Sequence, residues 1–348
     1  MQYRQLGRSG IRVSPLCLGT MMFGGLTDEQ TARAIADRAL EQGVNFIDTA
    51  NVYNAGKSEE VVGRIIAPNR DKWVLATKFG GGQGDWPNES GASRKAIVTA
   101  VEASLTRLDT DYIDLIYVHR EDRAARVEET AGVLGDLIRV GKVRYYGLSN
   151  HRAWKIAEFS HVADDLGVDR PAASQPVYNL ANRQIEQEHL PACDNYGVGV
   201  VPYSPLARGV LTAKYQPDQK PGADTRAGRA DKRISETEWR PESLKLAQEI
   251  KRHAEARGIT TGQFALAWVL ANRLVTSAIA GPRTLAQWED YVPALAYEWT
   301  AEDEALVDGF VATGHPSTPG YNDPGHPYLS RVVEPSTGVG EQPPSSRS

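Results

Sequence analysis

The chain has 348 residues, 41% hydrophobic and 24% charged, which is enough apolar side chain for one large α/β domain or two smaller ones. A net charge of −5 with no basic run argues against a nucleic-acid role. The two cysteines, Cys17 and Cys193, exclude a disulfide framework and a cysteine metal cluster, so no metal is expected and both should be small core fillers. The start "MQYRQLGRSG" has no apolar signal segment, and no run reaches the roughly twenty residues that cross a bilayer. A reducing cytoplasm, with no membrane contact, is the expected setting.

In chain order, "YRQLGRSGIRV" reads first as a hairpin around Arg8-Ser9-Gly10, placed ahead of the first core strand to cover the floor of a barrel. Short apolar runs then alternate with amphipathic stretches. The runs are Pro15–Leu18, Val44–Ile47, Trp73–Thr77, Ile113–Val118, Val143–Leu148, Ala172–Ser174, Val198–Pro202 and Val275–Ala280. They are short and β-branched, as parallel strands buried on both faces should be. The helical patterns between them include Thr31–Leu40, Ser93–Leu108 with Ser93 as its cap, and Glu128–Val140. After the second run, a turn at Asn54-Ala55-Gly56 precedes a helix with Ser58 as expected N-cap and Val61, Val62, Ile65 and Ile66 on one face. Eight strand candidates alternating with helices favour a single (β/α)8 TIM barrel over residues 1–313; a doubly wound open sheet is the competing arrangement.

Two segments break the rhythm. A long polar insertion lies between Pro205 and Pro241, and connections of that length inside a compact domain are usually functional or disordered. Residues 314–333 carry His315, Tyr321, His326 and Tyr328 among prolines and glycines, a composition suited to a stiff segment over the barrel mouth. Residues 334–348 lose all aromatic side chains and read as a disordered tail.

The residue that closes each run is the main clue. Asp48 follows the second, Lys78 the third, His119 the fourth, Ser149 and Asn150 the fifth, Gln175 the sixth, Tyr203 and Ser204 the seventh, and Gly281 and Arg283 the eighth. In a barrel these ends converge on one face. Each residue alone has an ordinary reading: Asp48 as a turn or cap, Lys78 as a solvated strand end, His119 as a loop histidine, Tyr53 as rim packing. Together they suit carbonyl protonation coupled to hydride arrival. Tyr53, with a phenol pKa near 10, needs a neighbouring ammonium to ease proton transfer, and Asp48 can hold that ammonium, Lys78, in place. His119 can orient a substrate oxygen. "GGGQGDW" at 80–86 fails the spacing of a dinucleotide fingerprint, and there is no P-loop.

At these residues the chain resembles the aldo-keto reductase family, most closely its long-loop bacterial members and channel β-subunits, from about Arg4 to about Thr313. The similarity runs through "FIDTANVYNAGKSEEVVG", "VLATKFG", "DLIYVHRED", "GLSN", "PVYN", "YSPLARGVLTAKY" and "IAGPRTLAQ", in family order. The resemblance implies a (β/α)8 barrel and reversible NADPH-dependent reduction of an aldehyde or ketone. It makes Tyr53 the general acid, Lys78 its modulator, Asp48 the partner of Lys78 and His119 the carbonyl-orienting residue. For NADP(H) it implies Ser149, Asn150 and Gln175 on the carboxamide and Tyr203 stacked on the nicotinamide. Ser204, Leu206, Arg208, Gly209 and Lys214 would surround the pyrophosphate, and Gly281, Arg283 and Gln287 the adenosine end, with Gly19 and Thr20 also lining the cofactor groove. Tyr291 stands where the family commonly has an asparagine, which puts adenine contacts there in question. Met22, Phe23 and Trp86 are the expected apolar wall for a small-molecule carbonyl substrate, and the tail resembles those of members acting on bulky alicyclic ketones, including oxidised trichothecene toxins. The competing function is a cofactor-sensing regulatory subunit on the same scaffold; a pure interaction protein would leave the four polar residues unexplained. A homo-oligomer is compatible with the sequence.

Overall fold

The structure, a computed structural model, describes residues 1–82, 84 and 86–327. The chain opens with the antiparallel strands β1 (Arg4–Gln5) and β2 (Arg12–Val13). Gly7 at the hairpin has a φ of +58°, and a Cβ there would collide with Gly197 O, Gly199 N and Ala172 O. Arg8 N donates to Gly197 O at 2.8 Å, and Leu6 and Val13 join the barrel interior, so the hairpin closes the end at which the strands begin.

Eight parallel strands follow: β3 (Leu16–Gly19), β4 (Phe46–Asp48), β5 (Val74–Phe79), β6 (Ile113–Val118), β7 (Val143–Ser149), β8 (Ala173–Gln175), β9 (Gly199–Val200) and β10 (Ala278–Ala280). From β3 to β9 each pairs with the next, and β10 pairs with β3. A bridge from Val200 to Val275, with Ile279 N on Pro202 O, joins the remaining edges. This is the (β/α)8 barrel, and the open-sheet alternative is set aside.

The helices are α1 (Glu29–Glu41), α2 (Lys57–Ile66), α3 (Arg94–Leu108), α4 (Val127–Arg139), α5 (Ala153–Leu166), α6 (His189–Tyr196), α7 (Lys232–Glu236), α8 (Pro241–Ala256), α9 (Thr261–Ala271), α10 (Leu285–Tyr291) and α11 (Ala301–Phe310). Ser93 caps α3 as expected, accepting from Ala96 N. Ser58 does not cap α2: the helix starts at Lys57, two residues earlier than that cap would give, with Gly56 as its cap. Ser58 is instead turned inward, donating to Thr20 O at 2.9 Å and sharing a hydrogen bond with Thr49 Oγ1.

The strands sort their side chains by parity. One set, including Cys17, Phe46, Ala76, Leu115, Tyr117, Ala173 and Val201, fills the barrel interior. The other, including Leu18, Ile47, Leu75, Ile116 and Leu148, packs outward with the helices. Gly147 on β7 makes room for the interior ring of Tyr117, since a Cβ there would lie 2.7 Å from it.

Candidate active site

The interior parity, continued to the strand ends, builds the site. Two residues beyond Phe46 is Asp48, beyond Ala76 is Lys78, beyond Tyr117 is His119, beyond Ala173 is Gln175, and beyond Val201 is Tyr203. Period-two geometry therefore places all five over the packed interior at the mouth. Strand β5 runs two residues beyond the expected Thr77, which carries Lys78 inside the barrel.

Lys78 is fully buried. Its ammonium contacts Asp48 Oδ1 and donates to Thr49 O at 2.7 Å and to Tyr53 Oη at 3.3 Å, which uses its three N–H groups. Asp48 Oδ2 accepts from Gln175 Nε2 at 2.9 Å. Tyr53 and His119 meet edge to face with ring centroids 6.1 Å apart. Tyr53 is aimed by its own loop: Asn54, Ala55 and Gly56 all have positive φ, at 49°, 55° and 90°. Asn54 Nδ2 fastens this turn to Met21 O and Phe23 O, at 3.0 and 2.7 Å. Left-handed non-glycine residues recur around the mouth, at Asn150, Ser204, Ala207, Arg208 and Ala213. Such conformations persist where surrounding contacts hold them, as at binding sites.

Burial alone would lower the Lys78 pKa, but the Asp48 carboxylate and the Tyr53 oxygen outweigh it, and Lys78 is held above its usual value. Lys78 and Asp48 form a buried ion pair. Burial raises the Tyr53 phenol, and the Lys78 charge opposes this without reversing it. The ammonium alone does not bring the Tyr53 pKa below its ordinary value, as the sequence reading expected of it; the residue stands as a neutral phenol that keeps its proton. His119 is pushed down to about 3, first by burial and then by Lys78, Arg120 and His326, so its imidazole is neutral near pH 7.

Beside this group, Ser149 Oγ donates to Gln175 O at 3.0 Å, and Asn150 Nδ2 donates to His119 O at 3.0 Å. Tyr203 Oη donates to Asn150 Oδ1 at 2.8 Å. Thr20 is buried, donating to Asp48 O, and Gly19 lies against Gly281. Further along the mouth, Leu206 is buried beside Arg208 and Gly209, and a Cβ on Gly209 would lie 3.0 Å from Lys214 Nζ. Burial lowers the Lys214 pKa, and Arg283, Arg229 and Arg226 lower it further. This gathering of cations, with Ser204 at its edge, fits an anionic phosphate-bearing group. Arg283 Nη1 donates to Asp224 O of the insertion at 3.2 Å, and its backbone N–H donates to Gln287 Oε1 at 2.7 Å. The insertion thus bends back over the cation cluster. Tyr291 is 8% exposed and packs in the core.

Of the expected substrate wall, Met22 is half-buried and Trp86 is 78% exposed. Phe23 is fully buried in the main core and is withdrawn from the wall: its ring has no face left for a ligand. The C-terminal segment up to Pro327 is fastened across several elements. Arg183 N donates to His315 O, Arg233 Nη2 donates to both Asp323 carboxylate oxygens at 3.0 and 2.8 Å, Arg240 lies 4.0 Å over the Tyr321 ring, and Arg152 Nη2 donates to His326 O at 2.7 Å. Tyr328 and residues 334–348, named in the sequence reading, lie outside the described residues.

The model for the Aldo/keto reductase family matches residues 15–312. The chain belongs to that family. The chain is 39% identical to a protein described as "Probable voltage-gated potassium channel subunit beta" from Oryza sativa subsp. japonica, over 88% of this chain and 97% of that one. It is 39% identical to the uncharacterized oxidoreductase YrpG of Bacillus subtilis (strain 168), over 85% and 91%. It is 33% identical to the L-glyceraldehyde 3-phosphate reductase of Escherichia coli O157:H7, over 90% and 93%. Family membership supports an oxidoreductase acting on carbonyl compounds, with a nicotinamide cofactor as the family's general partner. No helix among the described residues is long and apolar enough to cross a membrane.

Sequence reasoning missed Arg233, Arg152 and Asp323, which tie the insertion, α5 and the tail together. Their charges were visible, but their partners lie up to 175 positions away. It also missed that Gln175 is bonded to Asp48. The shared interior parity of the two residues was the available signal.

Proposed function

We propose that the chain catalyses reversible, NADP(H)-dependent reduction of an aldehyde or ketone to an alcohol, with Tyr53 as proton donor. The observation that carries this is the contact of Tyr53 Oη with a buried Lys78 ammonium at 3.3 Å, backed by Asp48. The cofactor, when bound, supplies the hydride. Arg208, Lys214 and Arg283 would hold its phosphates, and the Arg283 guanidinium suits a 2′-phosphate, which favours NADPH over NADH. Ser149, Asn150 and Gln175 would hold the carboxamide and Tyr203 the ring face.

His119, neutral, donates a hydrogen bond to the substrate carbonyl oxygen and turns it toward Tyr53. As negative charge develops on that oxygen, Tyr53 releases its proton to it, and Lys78 steadies the phenolate left behind. Asp48 keeps the ammonium fixed, so little reorganisation accompanies the transfer. Water is kept from the pair by burial. Met22 and Trp86, with the segment around Tyr321 and His326 across the mouth, would form the wall, and the resemblance of that tail makes bulky alicyclic ketones such as oxidised trichothecenes the proposed substrate class. The E. coli relative, named for a phosphorylated aldehyde, makes small anionic carbonyls the comparison class. Loss of NADPH absorbance across a panel of both classes tests the reading; a protein that binds NADPH and turns over neither class contradicts it. The channel-subunit relatives favour one second reading, a cofactor-sensing regulatory protein, and that same outcome would support it.

A further inference from the structure

We infer that Gln175 is a positioning residue of the proton-donating group, holding Asp48 in place and joining the cofactor side of the site to Tyr53; the link to catalysis rests on the function proposed above. Gln175 closes β8 and is 2% exposed. An ionised carboxylate can only accept, so the amide must turn Nε2 toward Asp48, as observed at 2.9 Å. That contact fixes the Asp48 plane with its other oxygen on Lys78. A continuous chain then runs from the Gln175 amide through Asp48 and Lys78 to the Tyr53 hydroxyl, all within the buried mouth.

Two further observations place Gln175 at a junction. Its backbone oxygen accepts from Ser149 Oγ at 3.0 Å and from Asn150 N at 3.3 Å, so the same residue anchors the neighbouring polar strand ends. Beneath it lies the buried Tyr117 phenol, pushed up first by burial and then by the Asp48 and Cys17 charges, with the Gln175 amide a smaller, opposing influence. With one N–H of Nε2 committed to Asp48, the side chain keeps its second N–H and the acceptor Oε1 for anything else that reaches it. A group held there pulls on the same amide that fixes Asp48.

The test replaces Gln175 in the full chain with Glu and with Met. In Gln175→Glu, a protonated carboxyl donates to Asp48 as the amide did. Once ionised, it sets a second negative charge against Asp48, and burial with that charge raises its pKa. At saturating cofactor we expect the kcat of Gln175→Glu to be highest at low pH and to fall by a further roughly ten- to hundredfold as pH rises, the range of a lost hydrogen bond to a charged group. NADPH affinity, measured by tryptophan fluorescence, is read in parallel, so that any change in cofactor binding is separated from the change in kcat at saturating cofactor. Gln175→Met should lower kcat at all pH values without the new limb.

A second readout needs neither cofactor nor turnover. A carboxyl with a raised folded pKa destabilises above its unfolded pKa, so the melting deficit of Gln175→Glu should grow from about pH 4 toward neutrality. A deficit independent of pH overturns the contact with Asp48, whatever the protein's activity. A growing deficit with an unchanged kcat profile overturns the positioning role alone. Absence of carbonyl turnover in the unmodified protein, with the growing deficit intact, would overturn the catalytic part of the inference through the function it rests on, leaving the contact standing.

Discussion

Replacing Lys78 with methionine removes the ammonium from a position with no solvent exposure while keeping much of the volume. Asp48, 2% exposed, is left with Gln175 as its remaining side-chain donor. Removing one partner of a buried ion pair typically destabilises by about 3–5 kcal/mol, because the other charge stays buried. For 348 residues the unfolding entropy is roughly 0.7 kcal/mol/K, so the melting temperature should fall by about 4–7 °C near pH 7. The sign with pH follows from Asp48. Without Lys78 its folded pKa rises further above the ordinary carboxylate value of about 3.9. The deficit is then absent below that value, grows as pH rises, and levels off above the raised folded pKa. Scanning calorimetry from pH 4 to 8 reads this directly. The double variant Asp48→Asn with Lys78→Met should recover most of the stability but not the activity. A deficit that is the same at pH 4 and pH 8, or none at all, would refute the buried pair.

Other outcomes are expected from the same geometry. Arg283→Ala should erode an NADPH-over-NADH preference of about ten- to hundredfold while sparing kcat at saturating cofactor, as parallel titrations of both cofactors would read. Asp323→Ala releases Arg233 from the tail, and should raise KM for a bulky ketone several-fold more than for a small aldehyde; equal changes would place the tail outside the pocket. Burial first, and nearby cations second, hold His119 at about 3, and burial holds His151 and His189 at about 4. Unfolding lets these imidazoles take up protons below about pH 6.5, so stability should fall as pH drops from there toward about 4. His189→Gln should flatten part of that slope in pH-dependent denaturant melts.

Much of the barrel was legible because its signal is local. Eight apolar runs with β-branched residues mark strands, and a polar residue two positions beyond an interior one marks the mouth, as Ala76 and Lys78 illustrate. The reading of Ser58 as a cap failed because three successive left-handed residues start α2 early, a backbone choice that only Gly56 announces. Phe23 looked like pocket wall on hydrophobicity alone, yet the loop after β3 is pulled down by Asn54 and buries it. The direction of the Tyr53 pKa could not be read from residue types, since it depends on whether burial or the ammonium dominates. The fastening of tail to insertion through Asp323 and Arg233, 90 positions apart, is a tertiary contact with no sequence pattern.

Turnover of NADPH with an aromatic aldehyde, compared between the unmodified protein and Tyr53→Phe, bears most directly on the proposed chemistry. The variant keeps the ring beside His119 and loses only the hydroxyl that meets Lys78. NADPH affinity should stay within a few-fold, and turnover should drop by at least about 10²-fold, the lower end of general-acid contributions. Near-equal turnover in the two proteins, with NADPH bound equally well, would contradict Tyr53 as the proton donor.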